Sequence, residues 1–172
     1  MKHILSVLVE NEAGVLSRVA GLFSARGFNI DGLTVAPVGD GETSRITLET
    51  YGDDNIIEQI IKQLHKLVPV IQVHDLTDRP HVERELMLVK VEAERDMRAE
   101  VLRIADIFRS RVVDATSSTF VVEVTGSSDK LDACLNLLEP LGVVEVVRTG
   151  KVAMARGAKR MREGLKEAPV KK

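Results

Sequence analysis

Four histidines, one cysteine and a few neighbouring carboxylates are the side chains of this sequence best suited to covalent or acid–base chemistry. Their spacing assembles none of the familiar sites. His3, His65, His74 and His81 fit neither HxxxH nor HExxH, so no two of them sit one helical turn apart as a zinc pair would. His65 lies between Lys62 and Lys66 on a stretch with helical periodicity, the setting of a solvated side chain. Cys134 is the sole cysteine, which excludes an internal disulfide, and among Leu131, Leu135 and Leu138 it reads as a small buried hydrophobe. Asp53-Asp54 and Glu92/Glu94 are pairings that a chain with 29% charged residues produces by chance. GxSxG, the glycine-lysine phosphate loop and GxGxxG are all missing. The sequence therefore argues for no active site.

Asn11-Glu12-Ala13-Gly14-Val15-Leu16 carries a different chemistry. It joins the end of a β-type run to the start of a helical pattern. A helix N-terminus leaves backbone N–H groups unpaired and carries positive partial charge, and glycine allows close approach or positive φ. A small carboxylate can dock against amides near Gly14, with the Asn11 side-chain amide accepting from an ammonium group. Alternatively, Gly14 only makes the turn and Asn11 only caps the helix. Asn29 is the other polar residue of note, set between Phe28 and Ile30 at the start of the next strand, where it reads as a turn residue after Gly27.

The elements that must position these residues follow from periodicity. Residues 4–9 form a strand. Val15, Leu16, Val19, Leu22 and Phe23 recur at helical spacing, and Arg26-Gly27 supplies a stop. Residues 28–38 read as a strand and 38–42 as a glycine-bearing hairpin turn. Residues 44–51 alternate, with Ile46 and Leu48 on one face and Arg45, Thr47, Glu49 and Tyr51 on the other, which predicts a sheet with one wet side. A helix capped by Asp53 or Asp54 carries Ile56, Ile57, Ile60, Ile61 and Leu64, and a strand over 70–76 follows Pro69. The polar stretch 75–81 is a linker. The same order then repeats: a strand at 85–93, a helix with Met97, Val101, Ile104, Ala105 and Phe108, strands at 112–115 and 119–125, a helix capped by Ser127 or Ser128, and a strand at 143–147. The fold class is α+β, two tandem ferredoxin-like βαββαβ domains. The domains are expected at 1–77 and 83–157, with a linker at 78–82 and a basic, poorly ordered tail at 158–172.

Composition narrows the function classes. There is no Trp, one Tyr and four Phe, which leaves little for stacking nucleobases. Apolar runs fall well short of the ~20 residues of a membrane span, and the N-terminal run meets Glu10 too soon for a signal peptide, so a cytoplasmic protein is expected. The net charge of −2 hides an asymmetry. From residue 148 onward nine Lys/Arg face Glu163 and Glu167, leaving an acidic body.

The residues from Ile4 to Val19 resemble the opening of an ACT domain. With Leu22-Phe23-Ser24-Ala25-Arg26-Gly27-Phe28-Asn29-Ile30, Leu33-Thr34-Val35-Ala36-Pro37, Ser44-Arg45-Ile46-Thr47 and Val82-Glu83-Arg84-Glu85-Leu86-Met87-Leu88-Val89-Lys90-Val91, the sequence resembles the regulatory small subunits of acetolactate synthase over about residues 1–157. That resemblance implies a homodimer in which ACT domains pair side by side into one continuous sheet. A branched-chain amino acid, usually valine, would bind at the interface. Asn11, Ala13, Gly14, Val15 and Leu16 would hold its α-amino and carboxylate groups, and Asn29 and Ile30 would come from the facing chain. It also implies a catalytic large subunit as partner. Thiamine diphosphate, Mg²⁺ and FAD would belong to that partner, and this chain would bind no cofactor, no metal, no nucleic acid and no membrane. It would activate the partner and confer feedback inhibition in branched-chain amino acid biosynthesis. The rival readings are a stand-alone amino-acid-sensing transcriptional regulator, for which no helix-turn-helix signature is found, and a small enzyme such as a mutase, for which no acid/base pair is found.

Overall fold

A computed structural model of the chain describes residues 1–39, 41–94, 97–158 and 161. The chain forms two compact units, Met1–Val82 together with Ala153–Lys172, and Glu83–Val152.

The first unit is built on β1 (Lys2–Glu10), α1 (Val15–Ala25), β2 (Gly32–Val38), β3 (Thr43–Tyr51), α2 (Asp54–Leu64) and β4 (Val70–Asp75). The strands form an antiparallel sheet in the order β2-β3-β1-β4. The inner strand β1 is buried along seven of its nine residues, which is why it reads as a nearly continuous apolar run. Leu5, Val7 and Val9 share one face with Ile46, Leu48 and Val73, and that face meets the apolar stripes of the helices, Val15, Val19 and Phe23 from α1 and Ile57, Ile60 and Leu64 from α2. These stripes recur at three- and four-residue spacing, so each helix presents one apolar side to the sheet. Asp53 caps α2, its carboxylate accepting from the Ile56 N–H at 2.9 Å. Asp53→Ala is expected to cost about 1 kcal/mol, seen as a lower urea midpoint at unchanged slope.

Three expectations change here. The strand anticipated over 28–38 begins only at Gly32. Gly27 takes φ +69° and reverses the chain, and the Phe28 N–H reaches back to the Phe23 carbonyl at 3.0 Å. The Phe28 ring then meets Phe23 edge-on, so residues 28–31 finish the helix end before the ladder starts. The face of the sheet away from the helices is not wet. Ser6, Leu8, Thr47 and Glu49 are all buried on it. Ile4 and Leu76 pack there against Ala153 and Ala155. This explains the third change: residues 153–157, expected in the second domain, belong to the first unit. They overlap a short strand, β9 (Val152–Ala155), that periodicity does not reveal.

The second unit repeats the plan with β5 (His81–Glu92), α3 (Met97–Ile107), β6 (Arg111–Ala115), β7 (Thr119–Gly126), α4 (Ser128–Leu138) and β8 (Val143–Arg148), in the order β6-β7-β5-β8, with β9 also paired to β5. β5 starts at His81, inside the expected linker. Met87, Val89 and Val91 of β5 pack with Phe120, Val122 and Val124 of β7 under both helices. Cys134 is fully buried in this core, and burial pushes its thiol above the usual range. Ser127 is the N-cap of α4 but makes no side-chain cap bond, and the Ser128 hydroxyl donates instead to the Glu85 carboxylate at 3.1 Å. Among the described residues, no helix is long and apolar enough to cross a membrane. The basic tail lies outside the described residues except for Ala158 and Met161.

Candidate functional site

The loop between β1 and α1 is held from outside itself. At the end of β1 the Asn11 N–H donates to the Glu42 carbonyl at 2.9 Å, and the Asn11 side-chain Nδ2 donates to the Gly41 carbonyl at 2.7 Å. The Ser44 hydroxyl donates to Asn11 Oδ1 at 3.0 Å. Asn11 therefore fastens the loop to the β2–β3 hairpin. It is not the helix cap, because that position belongs to Gly14. Its Oδ1 has a second lone pair, so it can still accept from an ammonium group.

Gly14 adopts φ 84°, ψ −4°, the left-handed region that an L side chain rarely enters. With no side chain in the cap position, no described side chain caps the start of α1. The Val15 N–H leans weakly on the Glu12 carbonyl at 3.4 Å, and the Arg18 N–H closes the first turn on the Gly14 carbonyl at 3.0 Å. Among the described contacts, the N–H groups of Leu16 and Ser17 have no acceptor. Asn11, Ala13, Gly14 and Leu16 are exposed, while Val15 is buried and anchors the helix to the core. The result is a surface cradle with two open donors at the positive end of a helix, suited to a small carboxylate.

Asn29 and Ile30 do not join this cradle within one chain. Asn29 precedes β2 instead of beginning it, and its carbonyl accepts from the Thr50 hydroxyl at 2.6 Å. The Gly14 loop sits at the Thr43–Ser44 end of β3, where Glu10 pairs with Thr43. Thr50 lies seven residues further along that strand, roughly 20 Å away at the usual strand rise. Nδ2 of Asn29 donates to the Asp31 carboxylate at 2.8 Å, and Ile30 packs half-buried on the core. Residue spacing misses Ser44, Gly41 and Asp31, which hold the two asparagines in place. The only trace of the first two is a polar residue next to a glycine turn.

Comparison with known proteins also divides the chain between residues 72 and 84, although the C-terminal match runs on through the residues that cluster with the first unit. Residues 5–72 match the AHAS small subunit-like ACT domain, and residues 84–157 match the small subunit of acetolactate synthase. The sequence is 53% identical over 163 residues to the acetolactate synthase isozyme 3 small subunit of Salmonella typhimurium, covering 94% of this chain and 100% of that one. The chain belongs to the acetolactate synthase small-subunit family. Within that family the small subunit of Aquifex aeolicus is 52% identical over 156 residues, 90% of this chain and 81% of its own length. The crystal structure of the acetolactate synthase small subunit from Thermotoga maritima superposes with a TM-score of 0.86 at 40% identity, covering 92% of this chain and 99% of that chain. The small-subunit resemblance drawn from the residues and the fold class of two βαββαβ units both hold.

Proposed function

We propose that this chain is the regulatory subunit of an acetolactate synthase, which activates a separate catalytic subunit and makes it sensitive to feedback inhibition by a branched-chain amino acid, valine first. On this reading the condensation of pyruvate to 2-acetolactate, with thiamine diphosphate, Mg²⁺ and FAD, belongs to the large subunit. The observation that carries the proposal is the left-handed Gly14 at the head of α1, which leaves the Leu16 and Ser17 N–H groups open to a carboxylate. The Asn11 Oδ1 on the same loop receives the ammonium group.

The sheet order supports a site completed by a second copy. β2 is an edge strand, with Val35, Ala36 and Pro37 exposed along it. Two such edges related by a two-fold axis pair antiparallel, so the start of one β2 meets the end of the other. That arrangement carries Asn29 and Ile30 of a second copy toward the hairpin to which Asn11 is fastened, and brings together what a single chain keeps apart.

Titration calorimetry of the chain with valine, leucine and isoleucine should show saturable binding, strongest for one of them. Addition of the chain to its large subunit should raise acetolactate synthesis and make it inhibitable by that same amino acid. Heat-silent titrations with all three, or activation with no inhibition at any effector concentration, would remove the effector from this loop.

A further inference from the structure

The first unit holds an open cavity of about 1020 Å³ on the face of its sheet opposite α1 and α2. Arg45 on β3, His74 on β4, and Arg79 and Arg156 on the segments that follow β4 and β9 line it. None of the described lining residues is acidic. Among the described residues no carboxylate pairs with any of these arginines. Their acceptors are neutral: Arg45 Nε donates to the Ser6 hydroxyl at 3.0 Å, an Arg45 terminal nitrogen meets the Met161 sulfur at 3.0 Å, and Arg156 Nε donates to the His81 carbonyl at 3.1 Å. Leu8, Leu76 and Met154 give the cavity an apolar wall.

Three guanidinium groups around one hollow repel each other, and low-dielectric walls strengthen the field between them. The sequence beyond the described lining is itself net basic, residues 159–172 carrying six Lys/Arg against two Glu. Guanidinium forks match phosphate and carboxylate oxygens in a way that single point charges do not. We infer that this cavity binds a small organic polyanion, bearing phosphate or paired carboxylate groups, gripped by Arg45, Arg79 and Arg156 and seated against Leu8, Leu76 and Met154. It lies on the other side of the sheet from α1 and is separate from the Gly14 cradle. His74 provides a built-in reporter. Burial, then the charges of Arg79 and Arg45, hold its imidazole below the usual range, and an anion between them must move it back up.

The test uses the full-length chain, with inorganic pyrophosphate and citrate titrated separately at constant ionic strength, read by calorimetry and by the His74 ring resonances. One saturable site for either probe is expected, with the His74 titration displaced upward on saturation, and the tighter probe names the head group. Arg79→Ala/Arg156→Ala should weaken binding at least roughly tenfold, the effect of losing a charge-assisted hydrogen bond. Both arginines are exposed, so the fold should survive, and Arg45→Gln gives an independent second loss. Lys62→Ala/Lys66→Ala, an equal change of charge at and just beyond the end of α2, should leave binding intact. No saturable site for either probe, equal binding by the Arg79→Ala/Arg156→Ala and parent chains, or an unmoved His74 would overturn the inference. So would binding of an acidic peptide alone, which would make the cavity a docking surface for a protein.

Discussion

On the proposed function, replacing Gly14 by aspartate is expected to release acetolactate synthase from valine while leaving it activated. Gly14 sits at φ 84°, and a Cβ built there meets no atom within 4 Å, so the substitution has room and its cost is conformational and electrostatic. The new carboxylate would occupy the positive end of α1 at which the proposed effector's own carboxylate would dock. Losing the helix-end interaction costs the effector about 0.3–2 kcal/mol, and like-charge repulsion adds to it, while ~1.4 kcal/mol is already tenfold in affinity. A tenfold or larger rise in the valine dissociation constant follows. Gly14→Ala separates the two causes, because it imposes the left-handed backbone strain of about 1–2 kcal/mol without a charge. Activation and inhibition should be assayed separately in the reconstituted complex. Undiminished valine inhibition in Gly14→Asp places the effector elsewhere. Loss of activation as well as inhibition makes Gly14 a folding residue.

Ending the chain after Val152 is expected to destabilise the first unit by up to roughly 3–6 kcal/mol, although every described helix of that unit and every strand of its sheet would remain. Ile4 and Leu76, 7% and 1% exposed, lose Ala153 and Ala155 from the same cluster. Each large aliphatic side chain is worth about 1.5–3 kcal/mol on burial, an upper figure because an unfolded chain is already partly compact. The Arg156 N–H would also leave the Pro80 carbonyl, and Met161 would leave Ser6 and Arg45. A chain ending after Met161 keeps all of these contacts and serves as the control. Urea unfolding of the two truncations decides the matter, and equal midpoints would show that the C-terminal return contributes nothing to this core.

The sequence makes most of this architecture legible because the elements carry strong periodic signals. The α2 stripe of Ile57, Ile60 and Leu64 and its Asp53 cap are local facts, and so is the alternation in β3. What local pattern cannot show is what covers the outer face of a sheet. Thr47 and Glu49 have the polar character of a solvated face, yet both are buried, on a side where a segment a hundred residues away returns to pack on Ile4 and Leu76. The same blindness hides the basic cavity, whose arginines at 45, 79 and 156 share no motif and meet only in three dimensions. At the loop between β1 and α1, the backbone of Gly14 shows in the spacing, since a glycine between a strand and a helix invites positive φ. The fastening of Asn11 by Ser44 and Gly41 does not show, because it crosses a hairpin. Asn29 is the instructive case. Within one chain it stays far from Gly14, and only the family resemblance and an exposed edge strand relate the two.

The late return of residues 153–158 to a sheet begun at Lys2 also sets an order of events during synthesis. Seventy residues, Glu83–Val152, are interposed between the two parts of the first unit, as in a protein with one domain inserted into another. The inserted piece is continuous and can collapse as soon as it leaves the ribosome. The unit that emerges first must wait with Ile4 and Leu76 uncovered until Ala153 and Ala155 have been synthesised. The nascent chain therefore finishes its amino-terminal half last, reversing the usual order of vectorial folding. Ribosomes stalled just before codon 153 would hold an apolar sheet face available to chaperones or to a second nascent copy.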